Sequence, residues 1–229
     1  MTEVIPAIIA KDYKELKEKL ALFKDFTKVV QIDVCDGNFV DSISWPMQSN
    51  DRESLSSILD EEEGMPYWTD VDYEFDLMVR NAREHFDLFI QLGAKRIVFH
   101  LEAENEDEFR DFLESIDPYI RDNTEIGIAI NTSTDISKLD KFINLIDFVQ
   151  CMGIENIGHQ GEPFDERVLT QISSIHSKYP ELKISVDGSV NEETAPSLVR
   201  SGASRLVIGS ALIGSYDIEG KILEFENIN

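Results

Sequence analysis

Apolar and polar positions along this chain alternate between two textures. Short runs rich in Val, Ile and Phe recur eight times: Val4–Ala10, Val29–Cys35, Asp72–Val79, Arg96–Glu102, Glu125–Asn131, Phe148–Ile154, Lys183–Asp187 and Arg205–Ser210. These read as strands. Charged segments with helical spacing lie between them. Asp12–Phe23 places Leu16, Leu20 and Phe23 on one face, with Asp12 as a cap. Asn81–Leu92 does the same with Ala82, Phe86 and Phe89, and Glu106–Ile116 with Phe109, Phe112, Leu113 and Ile116. Asp165–His176 carries Val168, Leu169, Ile172 and Ile175, and Glu192–Arg200 carries Ala195, Leu198 and Val199. Alternation of strand and helix implies a parallel sheet, and eight units suggest closure. The pattern therefore predicts a single (β/α)8 TIM barrel over residues 1–229. An open doubly wound sheet is the competitor. It usually carries a Gly-rich turn after its first strand, and Ala7-Ile8-Ile9-Ala10-Lys11 is not one.

One stretch is irregular. Asp41 to Asp72 holds a short helix (Arg52–Leu59), an acidic run (Asp60–Glu63) and Gly64-Met65-Pro66. It follows the second strand, so it reads either as a loop cap on the catalytic face or as a tolerated insertion.

Composition and charge narrow the partners. The length of 229 residues and a hydrophobic fraction of 42% suit one globular barrel. The net charge of −24 opposes nucleic acid and anionic membranes. A solvated surface explains most of it, but an anionic substrate would then need local attraction. Cys35 and Cys151 each lie in an apolar run, too few for a disulfide framework, and read as reduced residues of a cytoplasmic protein. The first twenty residues lack the basic start of a signal peptide, and no apolar stretch approaches a membrane span.

Barrel active sites form at the C-terminal ends of strands. There the chain places Gln31, Asp33, Cys35, Asp76, Met78, His100, Met152 and Asp187. Strand alternation puts Gln31, Asp33 and Cys35 on one face, and Asp76 with Met78 on one face. An ionised Asp among Ile and Val is costly unless it is paired or metal-bound. One such residue is explained as a structural hydrogen-bonder; three at strand ends point to a functional cluster. His100 reads equally well as site lining or as a satisfied core histidine. Asp187-Gly188-Ser189 and Ile208-Gly209-Ser210 supply small residues where barrels commonly bind phosphate, and the loop from Gly153 to Gly161 is also glycine-punctuated. Backbone donors there bind phosphate without Lys or Arg. Lys28, Lys95 and Lys183 start strands rather than end them, which argues against a Schiff-base aldolase.

The residues resemble one family nearly end to end. Gln31-Ile32-Asp33-Val34-Cys35-Asp36-Gly37-Asn38-Phe39-Val40 is similar to the His-x-Asp-x-Met-Asp-Gly-x-Phe-Val of ribulose-phosphate 3-epimerases. Asp76-Leu77-Met78-Val79 is similar to their His-Leu-Met-Val. Gly158-His159-Gln160, Val186 through Asn191, and Gly209-Ser210-Ala211 continue the match. The resemblance implies epimerisation of a ketose phosphate, D-ribulose 5-phosphate to D-xylulose 5-phosphate, with Asp33 and Asp187 as acid and base through an enediolate. It implies a divalent metal at Gln31, Asp33, Asp76 and Asp187. It also implies sugar-phosphate contacts from Gly158, His159, Gln160, Gly188, Ser189, Gly209 and Ser210, with Cys35, Met78, His100 and Met152 as lining, and a homo-oligomer.

The chain departs from that pattern. Gln31 and Asp76 stand where the family has its two metal-binding histidines, and Ala7 and Ala10 replace serines of the first strand. A metal held by these oxygens favours Mg²⁺ or Mn²⁺ over Zn²⁺. A metal-free site, with Gln31 and a protonated Asp76 bonding the ligand, is the other reading. A non-catalytic sugar-phosphate binder and a hexulose-phosphate epimerase are the functional alternatives.

Overall fold

The computed structural model describes residues 2–48, 51–158 and 161–228. Eight parallel strands close on themselves in chain order: β1 (Glu3–Ile9), β2 (Val29–Cys35), β3 (Asp72–Met78), β4 (Ala94–His100), β5 (Glu125–Ile130), β6 (Phe148–Met152), β7 (Lys183–Asp187) and β8 (Arg205–Ile208). β8 returns to pair with β1, so the molecule is a single (β/α)8 barrel. The crossovers carry α1 (Tyr13–Leu20), α2 (Arg52–Leu59), α3 (Phe86–Gln91), α4 (Glu106–Ser115), α5 (Pro118–Asn123), α6 (Arg167–Lys178) and α7 (Ala195–Ser201), and α8 (Ser210–Ile213) and α9 (Ile218–Glu226) follow β8. The fifth crossover carries a 3₁₀ turn, Ile136–Lys141, instead of an α-helix.

Local chemistry sets these boundaries. Asp12 caps α1 by accepting from the Glu15 N–H at 2.8 Å, and Leu16 and Leu20 face the barrel fully buried. Asn105 caps α4, whose first turn holds Glu106, Asp107 and Glu108 against the positive helix end. Phe109 and Leu113 bury its other face. The irregular stretch after β2 resolves into two parts. Its helix, α2, is the second barrel helix in its expected place. The residues before it stay at the barrel mouth, where Ser44 Oγ accepts from the Cys35 N–H and donates to the Asp33 carbonyl.

The barrel interior is layered, and the layers place the site. Its floor is ionic. Arg205, only 2% exposed, donates to Glu3 at 2.9 Å and to Glu125 at 2.7 Å, and its guanidinium lies 4.8 Å from the centre of the Phe148 ring. Arg96 bridges Glu3, Glu74 and Glu125. Above the floor, Val98, Ala129, Phe148 and Met152 form one apolar cluster, and Ile5, Ala7, Val29 and Val207 another. Phe148 occupies the space a side chain at Gly127 would need: a Cβ there would stand 2.4 Å from the ring. Towards the strands' C-terminal ends lie the buried polar side chains Gln31, Asp76, His100 and Gln150.

The floor makes a pH-dependent contribution. Burial alone would raise the Glu125 carboxyl, but hydrogen bonds from Lys183 and Arg205 outweigh it and hold the group down at about 2, from an ordinary 4.5. A depressed carboxylate stabilises the fold above its unfolded value, and that contribution is lost as pH falls. The stability advantage of the wild type over Glu125→Gln is therefore expected to shrink between pH 4.5 and about 2. Denaturant melts at a series of pH values measure it; an advantage that does not change with pH would contradict the assignment.

Candidate functional site

The expected acids converge. Alternation along β2 turns Gln31 and Asp33 inward, and Asp33 is in register with Asp76 of β3. Asp187, the last residue of β7, arrives from the other side of the barrel. One carboxylate oxygen from each of Asp33, Asp76 and Asp187 lies within 4.8 Å of the others, a grouping that can hold a metal ion. Gln31, fully buried, ties two of them together: its Nε2 donates to Asp33 at 2.8 Å and to Asp187 at 2.9 Å. Its Oε1 is buried with no donor.

Three acids so close cannot all ionise freely. Burial, then the charges of Asp187 and Asp76, push the Asp33 carboxyl well above the ordinary range. Burial and the Asp76 charge push Asp187 up to about 7. Asp76 has partners of its own. His100 Nε2 lies 2.9 Å from its Oδ1, and Gln150 Nε2 donates to its Oδ2 at 3.2 Å. Burial alone would lower the His100 pKa, but the adjacent Asp76 carboxylate outweighs it and raises it.

A cavity of about 300 Å³ opens on this cluster. Asp33 and Asp187 line its base, Met78 and Met152 flank it, and Gly158, Gly188, Ser189, Gly209 and Ser210 form its far wall. Among the described residues that line it there is no Lys or Arg. Gly188 and Ser189 are both left-handed, at φ 99° and 53°. Ser189 is held in that conformation by its neighbours: its hydroxyl donates to the Glu162 carbonyl, and its own carbonyl accepts from Thr194 Oγ1 at 2.8 Å. Consecutive residues of this kind can turn neighbouring N–H groups towards an anion. The strand ends also approach closely. Gly153 N–H donates to the Asp187 carbonyl at 2.6 Å, and a Cβ on Gly153 would stand 2.2 Å from the Gly188 carbonyl oxygen.

The loop after β2 packs against one lining residue of the cavity, Gly158. Ser42 Oγ donates to the Gly158 carbonyl at 2.7 Å, and Val40 packs where a Gly158 Cβ would go. The stretch after β2 thus supplies the second barrel helix and, at Ser42, a contact with the cavity-lining Gly158.

The sequence expectations fare unevenly. Asp33, Asp76, Asp187 and Gln31 come together, and Met78, Met152, Gly158, Gly188, Ser189, Gly209 and Ser210 line the cavity. Cys35 and His100 do not line it. The Cys35 side chain is fully buried in a cluster with Val40 and Met78, and His100 is fully buried against Asp76 and Phe39. His159 and Gln160 lie outside the described residues. Sequence reasoning gave no role to Glu162 and Asn191 in the cavity wall, and it placed Gln150 at a strand end without identifying its bond to Asp76.

Comparison with known proteins agrees with this geometry. The profile of the ribulose-phosphate 3 epimerase family matches residues 3–213. The ribulose-phosphate 3-epimerase of Bacillus subtilis is 28% identical over 233 residues, covering 98% of each chain. That of Aquifex aeolicus is 25% identical over 235 residues, covering 100% of this chain and 97% of the relative. Among solved structures, the 3-keto-L-gulonate-6-phosphate decarboxylase of Vibrio cholerae superposes with a TM-score of 0.70 at 11% identity, covering 99% of this chain and 96% of the other. The 3-hexulose-6-phosphate synthase of Salmonella typhimurium gives 0.68 at 12%, covering 100% and 98%. At such identities these two structures speak for the barrel alone. The match along nearly the whole chain, joined to the barrel, shows that the protein belongs to the ribulose-phosphate 3-epimerase family of isomerases.

Proposed function

We propose that the protein interconverts D-ribulose 5-phosphate and D-xylulose 5-phosphate, with Asp33 and Asp187 as the proton-transfer pair. One observation carries the reading: two half-buried carboxyls from β2 and β7 meet at the cavity base, both shifted upward and bridged by a single amide. Burial and mutual repulsion raise both carboxyls, which favours a proton shared between them, as inversion requires. The ionised group takes the C3 proton from one face of the ketose, leaving an enediolate. The protonated group returns a proton to C3 on the other face, and the two carboxyls have exchanged roles. The Gly188-Ser189 turn and the Gly209-Ser210 end of the cavity hold the phosphate through backbone donors, so that no cationic side chain is needed. Met78 and Met152 keep the reacting carbon in an apolar wall.

The residues present fit a divalent ion. Asp33, Asp76 and Asp187 supply oxygens within 4.8 Å of one another, and the buried Gln31 Oε1 lacks a donor. Turning the Gln31 amide over presents that oxygen to the cluster. An all-oxygen set favours Mg²⁺ or Mn²⁺ over Zn²⁺. Bound there, the ion supplies positive charge against the negative oxygens of the reacting sugar. The amide nitrogen now facing Asp33 and Asp187 favours the second reading, a metal-free sugar-phosphate binder.

Turnover separates the two. Ribulose 5-phosphate given to the chelated protein is expected to persist, and xylulose 5-phosphate to form once Mn²⁺ or Mg²⁺ is added, with a rise in Tm. Equal turnover in chelator would remove the metal from the scheme. Thermal stabilisation by the sugar phosphate with no turnover under either condition would favour the binder.

A further inference from the structure

Asp76 differs from the other two acids of the cluster in its surroundings. Asp33 and Asp187 line the cavity, whereas Asp76 is fully buried behind them. Both of its oxygens are engaged. His100 Nε2 is 2.9 Å from Oδ1, and Gln150 Nε2 is 3.2 Å from Oδ2. The partners come from β4 and β6, on the two sides of β5, so the barrel's curvature brings them to one carboxylate. His100 is itself fixed. It is fully buried, and the Phe39 ring lies over it with centroids 5.5 Å apart. Phe39 belongs to a loop whose N–H groups at Asn38 and Phe39 are tied to Asp36 at 2.8 and 2.9 Å. The remaining acceptor side of Gln150 and the Nδ1 of His100 are buried without protein partners, so neither side chain makes a hydrogen bond beyond that to Asp76 except, for Gln150, a 3.9 Å contact with the Met152 sulfur.

A free carboxylate on a strand rotates about its terminal bond and can chelate a cation with both oxygens. One whose two oxygens each accept a bond from a buried donor keeps a single orientation, with one remaining direction per oxygen. Partners of this kind orient metal ligands and commonly change affinity by about 10–100-fold when removed.

We propose that His100 and Gln150 form a two-sided clamp that positions Asp76 as a fixed ligand of the divalent ion, with His100 the dominant member. Both are positioning residues; neither reaches the cavity. The inference rests on the metal reading given under Proposed function.

The test uses Mn²⁺ binding to the whole protein, followed by the paramagnetic signal of the free ion, with Tm in chelator measured alongside. Two variants separate positioning from packing. His100→Asn is too short to reach Asp76 as Nε2 does, whereas His100→Gln places an amide nitrogen near that atom. Expected is a loss of Mn²⁺ affinity of about 10–100-fold in His100→Asn and its recovery to within a few-fold in His100→Gln, even where both variants lower Tm alike. Wild-type affinity in a folded His100→Asn, or equal losses in both variants, would overturn the clamp while leaving the metal reading intact. Failure of the wild type itself to bind Mn²⁺ would overturn the metal reading and the clamp with it.

Discussion

Asp33→Asn is expected to lower the rate of ribulose 5-phosphate epimerisation by about 10²–10⁴-fold, the usual contribution of a positioned acid–base group. The substitution keeps the size of the side chain and the Gln31 contact within reach, so the loss reports the missing carboxylate, as proton carrier and as metal ligand together. It has a second consequence of opposite sign. Asp33 is raised well above its ordinary pKa by burial and by its two acidic neighbours, so its ionisation in the metal-free protein works against the fold. Asp33→Asn removes that repulsion and is expected to raise Tm in chelator. Rates of product formation and melting curves on the same sample check both. A variant that turns over within tenfold of the wild type would take Asp33 out of the chemistry, and one that is merely unfolded would show its loss in Tm.

The largest effect on stability is expected at the other end of the barrel. Arg205→Met should cost about 1.5–3 kcal/mol, the usual range for lost hydrogen bonds to charged groups, because Glu3 and Glu125 are themselves 38% and 32% exposed. Arg205 lies between Glu3 and Glu125, stacks on Phe148, and is 2% exposed. Without it, Arg96 alone faces Glu3 and the fully buried Glu74, and it shares Glu125 with Lys183. Burial already drives Glu74 up to about 7 even with both arginines near. Urea unfolding at pH 8 measures the loss. Because the floor and the candidate site occupy opposite ends of the strands, turnover per folded molecule should change little. A cost below about 1 kcal/mol would show that the floor's charges are solvated and its geometry unimportant.

The sequence spoke clearly wherever one residue's environment follows from its neighbours in the chain. Val29–Cys35 and Lys183–Asp187 form strands over those same residues, because turn or charged positions bound the apolar run on both sides. Other strands end sooner than their pattern. Glu102 continues the apolar run in the sequence but sits in a 3₁₀ turn, where its carboxylate accepts from the Asn131 N–H at 2.9 Å. Asn81–Leu92 reads as one helix. Asn81 is instead left-handed, at φ 52°, and a 3₁₀ turn over Ala82–His85 precedes α3. The short helix α5 buries no residue and so leaves no apolar stripe to find.

The candidate site divides in the same way. Asp33, Asp76 and Asp187 stood out because a mid-strand acid is costly wherever the strand goes. What each acid touches depends on register and closure, which no local pattern encodes. Gln31 and Asp187 are 156 positions apart, and Asp76 and Gln150 are 74 apart, yet each pair is hydrogen-bonded. His100 could not be assigned for that reason: its partner lies on the adjacent strand, set by a stagger of the barrel. The irregular stretch after β2 was ambiguous because it holds both a barrel helix and a loop that touches Gly158 across the barrel, and only their positions in space separate them.

The most direct test of two-carboxyl inversion is the fate of the C3 proton. Ribulose 5-phosphate is incubated in D2O with the Mn²⁺- or Mg²⁺-supplemented protein and followed by NMR at low conversion. With Asp33 and Asp187 acting on opposite faces, the xylulose 5-phosphate formed carries solvent deuterium at C3 while the unreacted ribulose 5-phosphate is still largely protiated. Product that retains the original C3 proton, or a substrate pool that exchanges without forming product, would contradict proton transfer by this pair.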